Sequence, residues 1–90
     1  MSIEVEIPSI LGKYSDNKLS FKVEAGTVGE ALHEVGKKSS GLKKLLLDNE
    51  GNLMHYYDVY VNGESAYPET MDKPIKDGDK LNVVMLIFGG

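Results

Sequence analysis

The sequence predicts a single α+β domain in which a mixed five-stranded sheet carries one main helix across one face. Three observations lead to this class. Residues 3–7 and 19–23 alternate apolar and polar side chains, which is the pattern of half-buried strands. A T-x-x-E capping box at residues 27–30 opens an amphipathic segment of helical period. The chain then returns to strand-type sequence and finishes with an apolar run at residues 81–87.

The first two strands are predicted to be half-buried, each with one side facing solvent. Residues 3–7 form the first strand, residues 8–18 a loop, and residues 19–23 the second strand. If the two strands pair, Lys22 faces the same outer side as Glu4, a favourable cross-strand match of opposite charges. The opposite side of both strands is apolar and is assigned to the core.

The main helix is predicted over residues 28–37. Apolar side chains fall at i, i+3, i+4 and i+7, so one stripe of the helix faces the core. This stripe consists of Val28, Ala31, Leu32 and Val35. Gly36 is placed to end the helix, and the two lysines that follow suit the negative end of its dipole. Three leucines at positions 42, 45 and 46 mark a second, short helical segment.

The second half of the chain is predicted to supply three strands. Residues 54–62 form the third, and the Asn62-Gly63 pair signals a two-residue hairpin into a short fourth strand at 64–67. A mostly irregular stretch follows, in which Ile75 is the expected buried anchor. The Asp-Gly-Asp turn at residues 77–79 then leads into the final strand.

Composition excludes several classes of function. The chain has 90 residues and a net charge of −4, and all ten of its basic residues are lysines. An acidic chain without arginine lacks the bidentate fork that recognises phosphate or guanine, so we expect no nucleic-acid partner. Since there is no cysteine, a thiolate metal site and a cysteine nucleophile are impossible. No apolar stretch of membrane-spanning or signal-peptide type is present, so we expect a cytoplasmic protein without a membrane partner.

The last strand leads without a linker into Gly89 and Gly90. Glycine has no Cβ, so an extended diglycine fits a slot that is too narrow for any side chain. Residues 88–90 reach roughly 10 Å beyond the strand, and the terminal carboxylate is ionised at neutral pH. We therefore predict one domain over residues 1–90 with a flexible tail at 88–90 that enters another protein's active site. The alternative is that the glycines are a truncated linker without a role.

Both faces of the last strand are apolar, as expected of a central strand. Since the sequence provides one main helix to cover the sheet, apolar side chains on the other face would form a surface for a partner. The residues expected there are Val84, Leu86 and Phe88, together with Tyr60. The alternative is that the second short helix or the loop at residues 8–18 covers this face.

Three motifs at fixed spacing carry a resemblance to a known family. They are VYVNGE at residues 59–64, KPIKDGDKLNVV at residues 73–84, and the terminal Gly89-Gly90. Together with the ββαββ order they resemble the MoaD/ThiS group of ubiquitin-like sulfur carriers, which have the β-grasp fold. The likeness covers essentially the whole chain. The helical insert and hairpin are more similar to the molybdopterin-synthase small subunit and the cysteine-biosynthesis carrier than to the thiamine carrier, although residues 85–88 replace a segment that often contains proline and alanine.

The resemblance implies a function in sulfur transfer. In this family an E1-like enzyme of the MoeB/ThiF type adenylates the terminal glycine with ATP, and sulfur transfer then produces a thiocarboxylate. By this resemblance Gly90 is the reacting residue, Gly89 belongs to the tail, and Phe88 and Leu86 contact the partner. ATP, and often zinc, are held by the E1-like enzyme, and the carrier itself binds no cofactor or metal. The expected sulfur acceptors are a molybdopterin-synthase large subunit or a cysteine synthase.

Other candidate sites are weaker. His33 and His55 lie 22 residues apart without the spacing of metal ligands. Asp77 and Asp79 lack the remaining ligands of a calcium loop and are interpreted as turn residues. The tyrosines at positions 56, 57 and 60 are interpreted as sheet packing.

Two functions of other classes remain open at this stage. The chain could be a ubiquitin-like modifier that is conjugated to lysines through Gly90, or a β-grasp interaction module in which the glycines have no role. Conjugates that disappear on deletion of Gly90 would indicate the modifier. Full function without the glycines would indicate the module.

Overall fold

A computed structural model describes residues 2–86 of the chain. Five strands and two helices form one α+β domain. The strands are β1 (Ser2–Glu6), β2 (Ser20–Glu24), β3 (Tyr57–Val61), β4 (Glu64–Ser65) and β5 (Lys80–Met85), and the helices are α1 (Val28–Lys38) and α2 (Ser40–Leu46). The predicted order of elements is confirmed. The predicted tail, residues 88–90, lies outside the described residues.

The sheet has the strand order β2-β1-β5-β3-β4, so the last strand is its central one, as predicted. β5 runs parallel to β1 and antiparallel to β3. The register places Lys22 directly opposite Glu4, which confirms the predicted cross-strand match. Because β5 is paired on both sides, its backbone is held by two ladders of hydrogen bonds.

The core lies between the sheet and the two helices. Alternate residues of β1, β2, β3 and β5 point into it and meet the predicted stripe of α1. Its largest fully buried side chains are Ile3, Val5, Val28, Leu32, Val35, Leu42, Leu46, Val59 and Leu81. Ile75, the expected anchor of the irregular stretch, is buried as well. Both helices therefore cover the same face of the sheet.

Helix α1 begins as the capping box predicts but ends later than expected. The backbone N–H of Glu30 donates to the Thr27 hydroxyl at 3.1 Å, and the Glu30 carboxylate accepts from the N–H of Gly26 at 2.7 Å. Gly36 does not end the helix, which continues to Lys38 and is capped by Ser39. The glycine instead allows close packing of the two helices, because a Cβ at Gly36 would come 3.1 Å from the Cβ of Lys43.

Helix α2 confirms the predicted short helical segment. Ser39, which ends α1, also caps α2, with its hydroxyl accepting from the N–H of Leu42 at 3.4 Å. One residue thus turns the chain between two helices. The predicted single main helix is correct for α1, and α2 adds a second, shorter helix to the same layer.

The third strand begins at Tyr57, three residues later than predicted. The N–H of Met54 donates to the carbonyl of Leu46, and that of Tyr57 donates to the carbonyl of Met54. Leu53 forms an isolated bridge with Leu47. The backbone of residues 53–56 is therefore used to fasten the end of α2, and β-type sequence alone does not reveal this.

The bounds of β1, β2 and β5 differ from the prediction by one or two residues, and three further features differ as well. The fourth strand ends at Ser65 instead of residue 67, since the chain turns away once Ala66 enters the core. The loop at residues 8–18 contains a 3₁₀ helix, Ser9–Tyr14, and the stretch before β5 contains another, Thr70–Asp72. Short 3₁₀ segments are set by packing rather than by a strong sequence pattern.

Candidate functional site

The candidate site is the place where β5 ends and the chain continues toward Gly89 and Gly90. Met85, the last residue of the strand, pairs with Tyr57. One residue further, the N–H of Leu86 donates to the carbonyl of Tyr56 at 2.8 Å. The segment after β5 is thus attached to β3 up to the last described residue. We call Tyr56, Met85 and Leu86 the tail root.

The tail root exposes apolar side chains to solvent. Tyr56, Met85 and Leu86 are 36%, 39% and 37% exposed, values that are high for residues in or beside a central strand. The ring of Tyr56 contacts His55 edge-on at a centroid distance of 5.4 Å and Tyr57 at 4.9 Å. Burial raises the pKa of the Tyr57 hydroxyl, with a smaller contribution from Tyr56. The exposed apolar side chains of the tail root therefore lie beside a buried tyrosine, Tyr57.

The sheet face opposite the helices, here called the open face, carries the predicted partner surface. Val84 and Tyr60 are half-buried and Leu86 is exposed. All three belong to the parity of β3 and β5 that points away from the core. Both helices lie on the core side of the sheet, and the 3₁₀ segment of the loop at 8–18 packs against α2. The alternative that the short helix or this loop covers the open face is therefore wrong. Phe88, the fourth predicted contact residue, lies outside the described residues together with Gly89 and Gly90.

A polar network borders these apolar side chains. The Lys80 ammonium forms an ion pair with Glu6 at 2.8 Å, and the Asn82 amide donates to the other oxygen of Glu6 at 3.1 Å. The hydrogen bond and charge of Lys80 lower the pKa of the Glu6 carboxyl, and Glu6 in turn raises the pKa of Lys80. The open face is thus apolar near the tail root and charged nearer the start of β5.

The far end of β5 is fastened by two side chains that the sequence analysis interpreted as turn residues. Asn62 adopts a φ of 50° in the hairpin, and its amide donates to the Asp79 carboxylate at 2.9 Å. The side-chain oxygen Oδ1 of Asn62 accepts from the N–H of Lys80 at 3.0 Å, and the Asp79 carboxylate accepts from the N–H of Lys76 at 2.9 Å. These donors, the Lys76 N–H above all, lower the pKa of the Asp79 carboxyl. We call this pair the Asn62–Asp79 latch.

The Asn62–Asp79 latch connects the hairpin motif with the Asp-Gly-Asp motif. Each motif was predicted as a separate turn from local chemistry, but the side chains of Asn62 and Asp79 join the two turns across 17 residues of sequence. No pattern in the sequence indicates this contact. Asp79 is buried for this reason, whereas Asp77 remains exposed and accepts from the N–H of Ser2 at 2.6 Å.

The remaining candidates for chemistry have structural partners. His33 contacts the carbonyl oxygen of Gly51 through Nε2 at 3.2 Å, and His55 lies against Tyr56. Across residues 2–86, no three His, Asp or Glu side chains come together in a way that could hold a metal ion. Within the same residues, neither helix has the length and apolar character to cross a bilayer.

The tail root itself was only partly predicted. Leu86 was expected to contact a partner, but Tyr56 and Met85 were not. Met85 lies on the side of β5 that faces the core. Its position at the very end of the strand could have indicated that it is exposed. Tyr56 could not be assigned, because the sequence placed it inside a strand that begins only at Tyr57.

Comparison with known proteins gives relatives that match the full length of the chain. No family model matches. A protein of Archaeoglobus fulgidus named "Putative sulfur carrier protein" is 23% identical over 91 residues, with complete coverage of both chains. A chain in the crystal structure of the Amycolatopsis orientalis BexX/CysO complex is 30% identical, with a TM-score of 0.85 and coverage of 98% of this chain and 99% of that one.

A further solved structure supports the fold. The protein SAMP1 of Haloferax volcanii superimposes with a TM-score of 0.84 and is 24% identical, again with complete coverage of both chains. The arrangement of a five-stranded sheet with its last strand in the centre is therefore shared with proteins of the same size. Its β-grasp class, expected from the sequence motifs, is confirmed.

Proposed function

Because this chain belongs to the family of ubiquitin-like sulfur carriers, we propose that the carboxyl group of Gly90 is its working site. Such proteins are small, substrate-like carriers rather than catalysts. An E1-like enzyme would activate Gly90 and convert it to a thiocarboxylate, from which a second enzyme takes the sulfur. ATP, and zinc where it is used, would be bound by the E1-like partner.

The chemistry requires an activation step because a carboxylate is a poor electrophile. The Gly90 carboxylate attacks the α-phosphate of ATP, pyrophosphate leaves, and an acyl adenylate forms. A sulfur nucleophile then attacks the carbonyl carbon, AMP leaves, and one oxygen of the carboxylate has been replaced by sulfur. The first step requires in-line attack on phosphorus and the second requires access to the carbonyl carbon, both inside a cleft that excludes water. Gly89 and Gly90 carry no side chain that would block entry.

The observation that carries this proposal is the hydrogen bonding of β5 and of the residue that follows it, Leu86. The strand is central, paired to β1 and β3, and its continuation is still hydrogen-bonded at Leu86. The four residues that follow can span at most roughly 14 Å. A partner that binds the tail root can therefore define where Gly90 is presented. A carboxylate on a long linker would lose more conformational entropy on binding.

The apolar side chains of the open face and tail root are proposed to contact both partner enzymes. Tyr60, Val84 and Leu86 face one side of the sheet next to the exit of the tail, and Phe88 would extend this surface. Exposed apolar side chains around a fixed backbone are typical of interface anchors.

The sulfur acceptor is proposed to be a molybdopterin-synthase large subunit or a cysteine synthase. One solved neighbour is CysO of Mycobacterium tuberculosis, 25% identical with a TM-score of 0.82. Another, from Pyrococcus furiosus, carries the name of a molybdopterin converting factor subunit and is 17% identical. Both names are compatible with a role in sulfur delivery.

The test is an intact-mass measurement. The purified chain is incubated with an E1-like enzyme encoded in the same genome, ATP and sulfide. We expect a mass gain equal to the difference between sulfur and oxygen, localised to the C-terminal peptide. Gly90→Ala should abolish the gain, whereas Gly26→Ala, a matched glycine substitution at the opposite end of the sheet, should retain it. A gain that persists without Gly90, or no gain with any E1-like enzyme of the genome, would contradict the proposal.

Conjugation to proteins would use the same activated carboxyl group, with a lysine amine in place of sulfur as the nucleophile. The two outcomes separate in one experiment. Thiocarboxylate formation alone leaves a free carrier of slightly higher mass. Conjugation produces larger species that resist thiol treatment and that carry residues 81–90 on the acceptor lysine after cleavage with trypsin.

A further inference from the structure

Charged side chains are distributed unevenly along the axis of the sheet. β1 and β5 finish at the end from which the tail leaves, and β2 and β3 begin there. We call this the tail end and the opposite one the turn end. The loop at residues 8–19, the C-terminus of α1, all of α2 and the segment to residue 56 lie at the tail end. The hydroxyl of Ser39 donates to the carbonyl of Tyr14 at 3.2 Å, which joins α1 to the loop.

The tail end is basic in a chain that is acidic overall. It carries six lysines against four carboxylates. The lysines are Lys13, Lys18, Lys37, Lys38, Lys43 and Lys44, and the carboxylates are Asp16, Glu34, Asp48 and Glu50. The turn end, residues 24–30 and 62–79, carries seven carboxylates against two lysines. The molecule is therefore polarised, with its positive pole around the exit of the tail.

Most lysines at the tail end lack a carboxylate partner. Lys37 pairs with Glu34 at 2.9 Å, but in the part of the chain that the structure describes none of the other five forms an ion pair. Lys13 and Lys18 instead lie over the rings of Tyr14 and Phe21, at 5.2 and 4.9 Å. At the turn end Lys73 does have a partner, Glu69. Among residues 2–86, the positive charge of these five lysines is thus not neutralised by ion pairs.

Exposed apolar side chains concentrate at the same end. The exposed large hydrophobic residues there are Ile10, Tyr14, Leu19, Tyr56, Met85 and Leu86, and Tyr67 is the one such residue elsewhere in residues 2–86. Between the loop and the start of α2 lies a recess of about 640 Å³, which Tyr14, Phe21, Lys18 and Lys38 help to line. A cluster of exposed apolar side chains bordered by polar and charged ones has the anatomy of a protein interface, whose rim is polar.

We propose that the tail end docks on a carboxylate-rich protein surface, with Lys18 and Lys38 as its principal charged contacts. The apolar rim of the tail root would form the centre of the contact and the lysines its border. Charge complementarity would orient the carrier before contact, so that the tail points toward the partner while the acidic turn end is repelled. Only the identity of the partner rests on the proposed function.

A protein surface fits the arrangement better than a phosphate group does. The lysines come from separate segments and are interleaved with apolar side chains, so they do not converge on one anion. The chain has no arginine, the residue that recognises phosphate with two parallel hydrogen bonds. Asp16 lines the same recess as Lys18 and Lys38 and would repel a compact anion bound there.

The first experiment uses poly-L-glutamate as the probe and does not depend on sulfur transfer. Titrated into the ¹⁵N-labelled chain at low salt, it should shift the amide signals of residues 10–19 and 37–44 but not those of 62–79. The double variant K18E/K38E should weaken this apparent affinity at least about tenfold. The control K73E/K76E, with the same charge change at the turn end, should stay within about twofold. Equal loss in both variants would overturn the proposal.

ATP and vesicles of phosphatidylserine in phosphatidylcholine serve as competing probes in the same titration. If either shifts the same signals at lower charge concentration than poly-L-glutamate does, the surface recognises phosphate and the proposal is wrong. If poly-L-glutamate is the strongest probe, the assignment to a carboxylate surface is supported.

The second experiment measures adenylation of Gly90 by the E1-like enzyme. K18E/K38E should lower kcat/KM at least about tenfold at low salt, and the loss should shrink at high salt as the charges are screened. K73E/K76E should be unaffected or slightly faster. If the wild-type chain is not adenylated at all, the proposed function fails while the titration still tests the surface. If the wild type reacts and both variants react equally well, the surface proposal alone fails.

Discussion

The two ends of the central strand are built for different tasks. At the turn end, β5 is fastened by the Asn62–Asp79 latch, in which side chains and backbone exchange four hydrogen bonds over two turns. At the tail end, Leu86, the last described residue, donates a backbone hydrogen bond to Tyr56, and its side chain is exposed. The strand is therefore fixed where it begins and accessible where it ends.

This difference shows how a small carrier can separate stability from recognition. A domain of 90 residues buries a limited core, so polar contacts at the turn end add to its stability. Apolar side chains at the tail end add little to stability, because they stay exposed, but they remain available to a partner. Substitutions at the tail end should consequently weaken partner binding with little change in stability. Substitutions at the turn end should lower stability with little change in adenylation.

The largest effect is expected from the tail. Deletion of Gly89 and Gly90 should abolish adenylation, a loss of several orders of magnitude, because the reacting carboxyl group no longer reaches the α-phosphate. The melting temperature should change little, since these residues follow the last strand. Intact mass and thermal melting on one preparation check both. A large drop in melting temperature would show that the glycines are part of the folded domain.

The next effect is expected at the tail root. Leu86→Ala should weaken binding to the E1-like enzyme by roughly 1–3 kcal/mol if Leu86 is an interface anchor, with stability nearly unchanged. Calorimetric titration of the variant into the enzyme measures this. Tyr67→Ala removes a side chain that is 77% exposed and lies away from the tail root, so it is the matched control. Equal losses for both variants would argue against a local docking surface.

At the turn end we expect a loss of stability without a loss of adenylation. Asp79→Ala removes acceptors for the Asn62 amide and the Lys76 N–H, and should lower the free energy of unfolding by roughly 1–2 kcal/mol. Adenylation of the folded variant should be unchanged. Urea unfolding at neutral pH gives the free energy, and Asp72→Ala, an exposed carboxylate of the preceding 3₁₀ segment, serves as control. A loss of activity in the folded Asp79 variant would show that the two ends are coupled.

The smallest effect concerns pH. The pKa of Asp79 is lowered in the folded state, so its contribution to stability is fully present above the unfolded pKa, near 3.8. It is lost as the pH falls through the lower folded value. The stability gap between wild type and Asp79→Asn should therefore be wider at neutral pH than in acid. Urea midpoints at about pH 7 and about pH 3 test this linkage. A gap that widens in acid would contradict the assigned direction.

Local sequence chemistry determined most of the architecture. Alternation of apolar and polar residues identified β1 and β2, the capping box identified the start of α1, and the two-sided apolar character of residues 81–87 identified a central strand. Each of these signals lies within a short window, and each is a property of the element itself. The expectation of an uncovered sheet face near the tail followed from the same reasoning, and the structure places Tyr60, Val84 and Leu86 there.

Tertiary structure decided what depends on contacts between distant segments. Gly36 lies inside α1 instead of ending it, because α2 packs closely against it, and β3 starts late because Met54 is bonded to the end of α2. The Asn62–Asp79 latch joins two turns that look independent in the sequence. The basic pole likewise exists only because α1 and α2 bring their lysines to the end from which the tail leaves. Periodicity fixes the face of each element, whereas long-range packing fixes which elements meet.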